Sequence, residues 1–150
     1  MAQSLAKVLV HLVFSTKERR PWIDDALARD LYLYLAATAR GLGCPAQEVG
    51  GTADHVHIVF SLSRTVSLAS SVEDVKKGSS KWAKTRGEKY RDFAWQGGYG
   101  AFSIGESGLA ACTRYIREQA KHHERMDFKV ELRKLLRKYG VEHDERYLWD

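Results

Sequence analysis

Residues 54 to 62, DHVHIVFSL, alternate strictly: Val56, Ile58, Phe60 and Leu62 fall on one side of an extended chain, and His55, His57, Val59 and Ser61 on the other. Successive side chains of a strand point to opposite faces, so this run predicts a strand with one apolar, core-seeking face. The same alternation aims two imidazoles in one direction from the other face. Residues 6 to 14, AKVLVHLVF, are almost continuously apolar and read as a central strand buried on both faces. Within that strand His11 reads as a hydrogen-bonded core or near-site residue.

The helical pattern is equally regular. Ile23, Leu27, Leu31 and Leu35 recur every four residues and predict a helix over about 24 to 41, capped by Asp24 and ended by Gly41 and Gly43. Residues 45 to 50 read as a short strand closed by Gly50 and Gly51. Leu68, Val72, Val75, Ser79 and Trp82 step by three and four, predicting a second helix over about 67 to 87. Residues 94 to 104, AWQGGYGAFSI, suggest a strand with a bulge or close backbone approach at Gly97, Gly98 and Gly100. Ser107 opens a helix to about 124. Asp127 caps a last one, with Phe128, Leu132, Leu135, Leu136 and Tyr139 as its apolar stripe and Gly140 as its stop. Strand, helix, strand, strand, helix, strand is the order of an α+β, ferredoxin-like split βαβ fold. Such a fold has an antiparallel sheet with helices on one face, here with an added C-terminal helix. The opposite face is left open for a site or a partner. The 150 residues carry no repeat, linker or low-complexity segment, and read as one domain spanning 1–150.

Composition narrows the function classes. Hydrophobic residues make up 44% of the chain, which argues against disorder. No apolar run is long enough to span a bilayer, and the N-terminus lacks signal-peptide features. Cys44 and Cys112 match no metal or redox spacing and read as buried small hydrophobes, so a cytoplasmic location is expected. A net charge of +5 and a pI near 9.2 favour a polyanionic partner such as nucleic acid.

Two motifs carry chemistry. His55 and His57 can bind one ion from a single strand face. Asp54 beside them is either an accessory ligand or an orienting group. Tyr115 and Gln119, four apart in a predicted helix, share a face. Gln119 offers a third ligand through its carbonyl oxygen. Two nitrogens and a neutral oxygen suit an open Mg²⁺ or Mn²⁺ site better than structural zinc. A phenol with an ordinary pKa of about 10 is a weak nucleophile, and a metal-polarised phosphate lowers the demand on it. Attack by Tyr115 would leave a covalent phosphotyrosine that conserves the energy of the broken phosphodiester. Lys76, Lys77 and Lys81, with Lys84 and Arg86, are by default a solvated helix face. With Arg114, Arg117 and Lys121 they offer an alternative role, tracking a nucleic-acid backbone. His122 falls near the face of Tyr115 and His123 nearer the opposite one, and both read as solvated or phosphate-contacting. Trp82 and Trp95 read as core or dimer contacts.

The stretches VLVHLVFSTKERRP (8–21), ADHVHIVFSL (53–62), VEDVKKGSSKW (72–82), WQGGYGAFSI (95–104), YIREQAKHH (115–123) and DERYLW (144–149) resemble the HUH-type single-tyrosine transposases of the insertion-sequence 200/605 kind, the IS200-like transposases. The resemblance runs through most of the chain in family order. It implies single-stranded DNA transposition, with His55, His57 and Gln119 as metal ligands and Tyr115 as the nucleophile that stays joined to the 5′ phosphate. It further implies binding of hairpin DNA ends and an obligate homodimer. Two other functions stay open. One is a relaxase-like nicking enzyme, which shares the histidine pair and tyrosine in a different motif order. The other is a basic module that holds structured nucleic acid without cutting it.

Overall fold

The computed structural model describes residues 2–123 and 126–149. Its frame is one four-stranded sheet built from β1 (Leu9–Ser15), β2 (Ala46–Gly51), β3 (His55–Ser61) and β4 (Gly100–Ile104). The strand order is β2-β3-β1-β4, and every neighbouring pair is antiparallel. This is the expected split βαβ arrangement: β3 pairs between β1 and β2, joined by α1 (Asp25–Gly41), and α2 (Leu68–Lys84) connects β3 to β4. The register sets Val13 opposite His57 and Ser15 opposite His55.

The alternation of β3 divides the molecule into layers. Val56, Ile58 and Phe60 join Leu12 and Phe14 beneath Leu27, Leu31 and Leu35 of α1 and Val72 and Val75 of α2. The second face, expected to stand open, carries α3 (Leu109–Arg117), α4 (Gln119–His122) and α5 (Phe128–Lys138). There Val59 packs with Cys112 and Ile116, and Val13 and Phe102 with Phe128, Leu132 and Leu136. That face was half apolar in sequence, and burying these side chains supplies the driving force to cover it.

Helix starts follow local chemistry. Asp24 accepts from the Leu27 amide at 3.0 Å, Ser67 from Ser70 at 3.0 Å and Asp127 from Val130 at 2.9 Å. Three boundaries differ from the sequence expectations. β1 starts only at Leu9, because Ala6, Lys7 and Val8 are exposed. The 94–104 run is interrupted: Trp95 forms an isolated bridge to Thr16, and regular pairing resumes at Gly100. Between them the Lys76 ammonium donates to the carbonyls of Gln96 at 2.6 Å and Gly98 at 2.8 Å, pulling that segment toward α2. Ser107 caps nothing, since α3 follows a short 3-10 turn at Glu106–Gly108 and has no side-chain cap.

α3 lies so close to β2 that a side chain at Gly50 has no room: a Cβ there would sit 2.6 Å from the Ile116 carbonyl oxygen and 3.1 Å from its Cγ2. Gly50→Ala is expected to cost about 1–3 kcal/mol, the usual range for overpacking. Gly41→Ala, where nothing lies within 4 Å, is the control and should be neutral or mildly stabilising. Urea denaturation of both variants checks this, and equal stability would mean that α3 does not press on the sheet.

Candidate active site

β3 turns His55 and His57 onto the α3–α5 face, where both are fully buried. α3 brings Tyr115, and α4 begins with buried Gln119. The four residues singled out from sequence therefore meet. His55 Nε2 lies 3.0 Å from Gln119 Oε1, and the Tyr115 ring stands edge-on to His57 with centroids 5.8 Å apart. Asp54 takes the orienting place, with its Oδ1 2.7 Å from His55 Nδ1.

The residue that joins them was not expected. Glu131 of α5 is 1% exposed and sits at the centre. Its Oε1 lies 2.9 Å from His57 Nε2, 3.1 Å from His123 Nε2 and 3.3 Å from His55 Nε2. Its Oε2 accepts from the Tyr115 hydroxyl and, at 3.1 Å, from Gln119 Nε2. His123 is a second addition. The helix breaks at Glu118 (φ −97°, ψ 22°), which shifts the phase of the next turn and brings His123 to the carboxylate. His122 stacks on Tyr115 with centroids 4.6 Å apart, on the face expected for it.

Proton positions are set by the partners. His57 Nε2 faces a carboxylate and carries the proton, so its Nδ1 accepts from His11 Nε2 at 2.7 Å. Burial outweighs the pull of Glu131 and holds the His57 pKa below its ordinary value. Burial and the neighbouring His57 push His11 down to about 3. His55 goes the other way. Burial opposes its charge, yet hydrogen bonds to Asp54, Glu131 and Gln119 prevail and push it up to about 9. Burial would raise Glu131, but hydrogen bonds from His123, His55 and His57 hold it well below the usual carboxylate range. Burial and then the Glu131 acceptor hold the Tyr115 phenol above its ordinary value. The cluster thus pairs an imidazolium with a carboxylate and keeps the tyrosine protonated.

The donor set fits a divalent cation. His55, His57 and Glu131 each offer one ligand atom, all within 4.8 Å of one another. Gln119 Oε1 adds a neutral oxygen beside His55. Imidazole nitrogens with carboxylate and amide oxygens suit a divalent ion, and the group is closed off from bulk water. To ligate through Nε2, His57 must move its proton to Nδ1. His11 must then carry its own proton on Nδ1 so that its Nε2 accepts, and the same 2.7 Å contact serves either direction.

The basic residues proposed for nucleic acid lie on two layers. Lys77 and Lys81 are exposed on α2, across the sheet from Tyr115. Lys76 is half-buried, its ammonium spent on two carbonyls and its pKa lowered by burial to about 8. Arg114 and Lys121 are exposed on the tyrosine side. Trp95 is a core residue whose indole N–H donates to Ser79 Oγ at 2.9 Å, and Trp82 stacks on Tyr34.

The α+β sheet thus presents a buried His-x-His pair to a helix-borne tyrosine. The chain belongs to the transposase IS200-like family, whose family model matches residues 4–119. The match includes the histidine pair, Tyr115 and Gln119, and ends before α5 and Glu131. Two solved structures share the fold. One is a candidate transposase from Deinococcus radiodurans R1, 20% identical, covering 79% of this chain and 98% of its own at a TM-score of 0.62. The other is a REP-associated tyrosine transposase bound to a REP hairpin, 13% identical, covering 82% of this chain and 73% of its own at a TM-score of 0.60. No curated protein matches the chain. No helix among the described residues is long and apolar enough to cross a membrane.

A divalent ion must displace the proton of His55, whose pKa is raised to about 9. Metal affinity should therefore increase as pH rises toward 9 and level off above it. Below the plateau the dissociation constant for Mn²⁺ should fall about tenfold per pH unit, with about one proton released per ion. Calorimetric titration at several pH values checks this, and an affinity independent of pH between about 6.5 and 8.5 would contradict it.

Proposed function

We propose that this chain is a metal-dependent transposase that cleaves and rejoins single-stranded DNA through a covalent 5′-phosphotyrosine at Tyr115. The observation that carries this reading is the shared carboxylate: Glu131 contacts the tyrosine hydroxyl through one oxygen and both histidines through the other. Nucleophile and cation site are thus held within a single phosphate's reach.

His55, His57 and Gln119, with Glu131 beside them, would hold a Mg²⁺ or Mn²⁺ ion, which would supply positive charge to the scissile phosphate. The chain's own residues do the rest. Tyr115 Oη attacks phosphorus in line, the new O–P bond forms and the P–O3′ bond breaks, and the departing 3′ oxygen takes a proton from water to become a 3′ hydroxyl. Glu131 Oε2 is the acceptor already in place for the phenolic proton. With the phenol raised and the carboxylate depressed, that transfer is uphill at rest and proceeds only as the O–P bond forms. Asp54 and His11 fix the rings of His55 and His57. Rejoining is the same step reversed by a new 3′ hydroxyl.

DNA with hairpin ends is the proposed partner, supported by the hairpin bound to the REP-associated relative. Exposed Arg114 and Lys121 would hold the strand near the tyrosine. Lys77 and Lys81 would meet a stem on the far layer, while Lys76 keeps the 96–98 segment in place. A homodimer is part of this reading, although one chain brings its own tyrosine to its own histidines.

Incubation with single-stranded DNA carrying flanking element ends and Mn²⁺ should give a denaturation-resistant adduct that mass spectrometry places on Tyr115. Tyr115→Phe should lower adduct formation by at least about 10⁴-fold and spare hairpin binding. Tight binding with no adduct from the wild-type chain would return it to the binding-module reading, and cleavage without an adduct would make it a hydrolase.

A further inference from the structure

A cleft of about 670 Å³ opens beside Tyr115, between the β4–α3 edge of the sheet and α5. Tyr115, the apolar side chains of Ile104, Leu135 and Tyr139, and the cations Lys134 and Lys138 all line it. Its volume lies in the range of sites that bury a small molecule, about 300–1,000 Å³. The Tyr139 ring is fixed by stacking on Phe102 with centroids 4.8 Å apart, and the Lys138 ammonium lies 5.3 Å from its centroid. Lys134 and Lys138 are exposed, four residues apart on one face of α5. Among the described lining residues the only carboxylate is Glu131, which is buried. An apolar slot with an immobilised aromatic ring and two exposed cations in its lining suits a nucleobase with its backbone phosphates.

We propose that this cleft is a subsite for the nucleotide immediately downstream of the cut, the one whose 5′ phosphate becomes joined to Tyr115. The inference rests on the strand-transfer reading and deepens it. In-line attack expels the 3′ oxygen on the side of phosphorus away from the phenol, so the upstream nucleotide departs on that far side. The downstream nucleotide stays tethered to the tyrosine, and Tyr115 itself lines the cleft. The base lies against Tyr139 and Leu135, and Lys134 and Lys138 meet the following phosphates. The subsite would hold the cleaved 5′ end while the strand is exchanged.

The test uses the intact protein with Mg²⁺ and two probes, the 5′-phosphorylated thymidine dinucleotide and its 3′-phosphorylated isomer, titrated by NMR. The 5′-phosphorylated probe should bind about tenfold more tightly than its isomer, and Lys134→Ala with Lys138→Ala should remove most of that preference. Leu135→Trp, which fills the slot, should abolish binding of the 5′-phosphorylated probe. The lysine pair is exposed, so its replacement keeps the test independent of any folding defect at Leu135. Equal affinity for the two isomers, or wild-type affinity in the lysine variant, overturns the subsite. If the Tyr115 adduct still forms in that case, the subsite alone has failed. If the dinucleotide binds as expected but no adduct forms on any DNA end, the strand-transfer reading has failed instead.

Discussion

A buried carboxylate cannot stand alone. Removing such a charge from water costs several kcal/mol, and only close donors or a cation offset it. Glu131 is satisfied from three directions: imidazoles on β3, the phenol and amide on α3 and α4, and His123 just beyond them. Much of the second layer's arrangement depends on it. α5 is anchored by apolar contacts of Phe128, Leu132 and Leu136 with Val13 and Phe102, and Glu131 ties it to His57 of β3 and Tyr115 of α3. Gly100 makes the close approach possible, since a Cβ there would lie 3.1 Å from Val13 and 3.2 Å from Leu132.

The same cluster explains how one site can rest and act. Without a cation, the proton on His55 balances the Glu131 charge, and the phenol is held in place but not activated. A divalent ion would replace that proton and would require His57 and His11 to change tautomer together across their shared contact. The site would thus exchange one form of positive charge for another among groups already held together, which is what preorganisation requires.

Most of the fold was legible because its signals are local. The alternation of 54–62 gives both the strand and the face on which the histidines sit. Asp24 and Asp127 announce their helices as side-chain caps. The convergence of His55, His57, Tyr115 and Gln119 was readable from two periodicities and a family likeness. Glu131 was not, because a helix acid is ordinarily solvated. The signal was present all the same: Glu131 falls between Phe128, Leu132 and Leu135, inside the apolar stripe, where a charge needs a buried partner. His123 was missed because one break at Glu118 shifts the helical phase. The structural duty of Lys76 depends on carbonyls of residues 96 and 98, which helix periodicity does not reveal.

The paired imidazoles, held against Glu131, are proposed as a metal centre. Electron spin-echo envelope modulation of the Mn²⁺-loaded protein tests this by detecting nitrogen bonded to the ion. Modulation from two imidazole nitrogens, reduced to one in His57→Ala, is the expected result. Bound Mn²⁺ with no imidazole nitrogen in the wild-type protein would contradict the account, and would leave His55 and His57 as a buried hydrogen-bond network around Glu131.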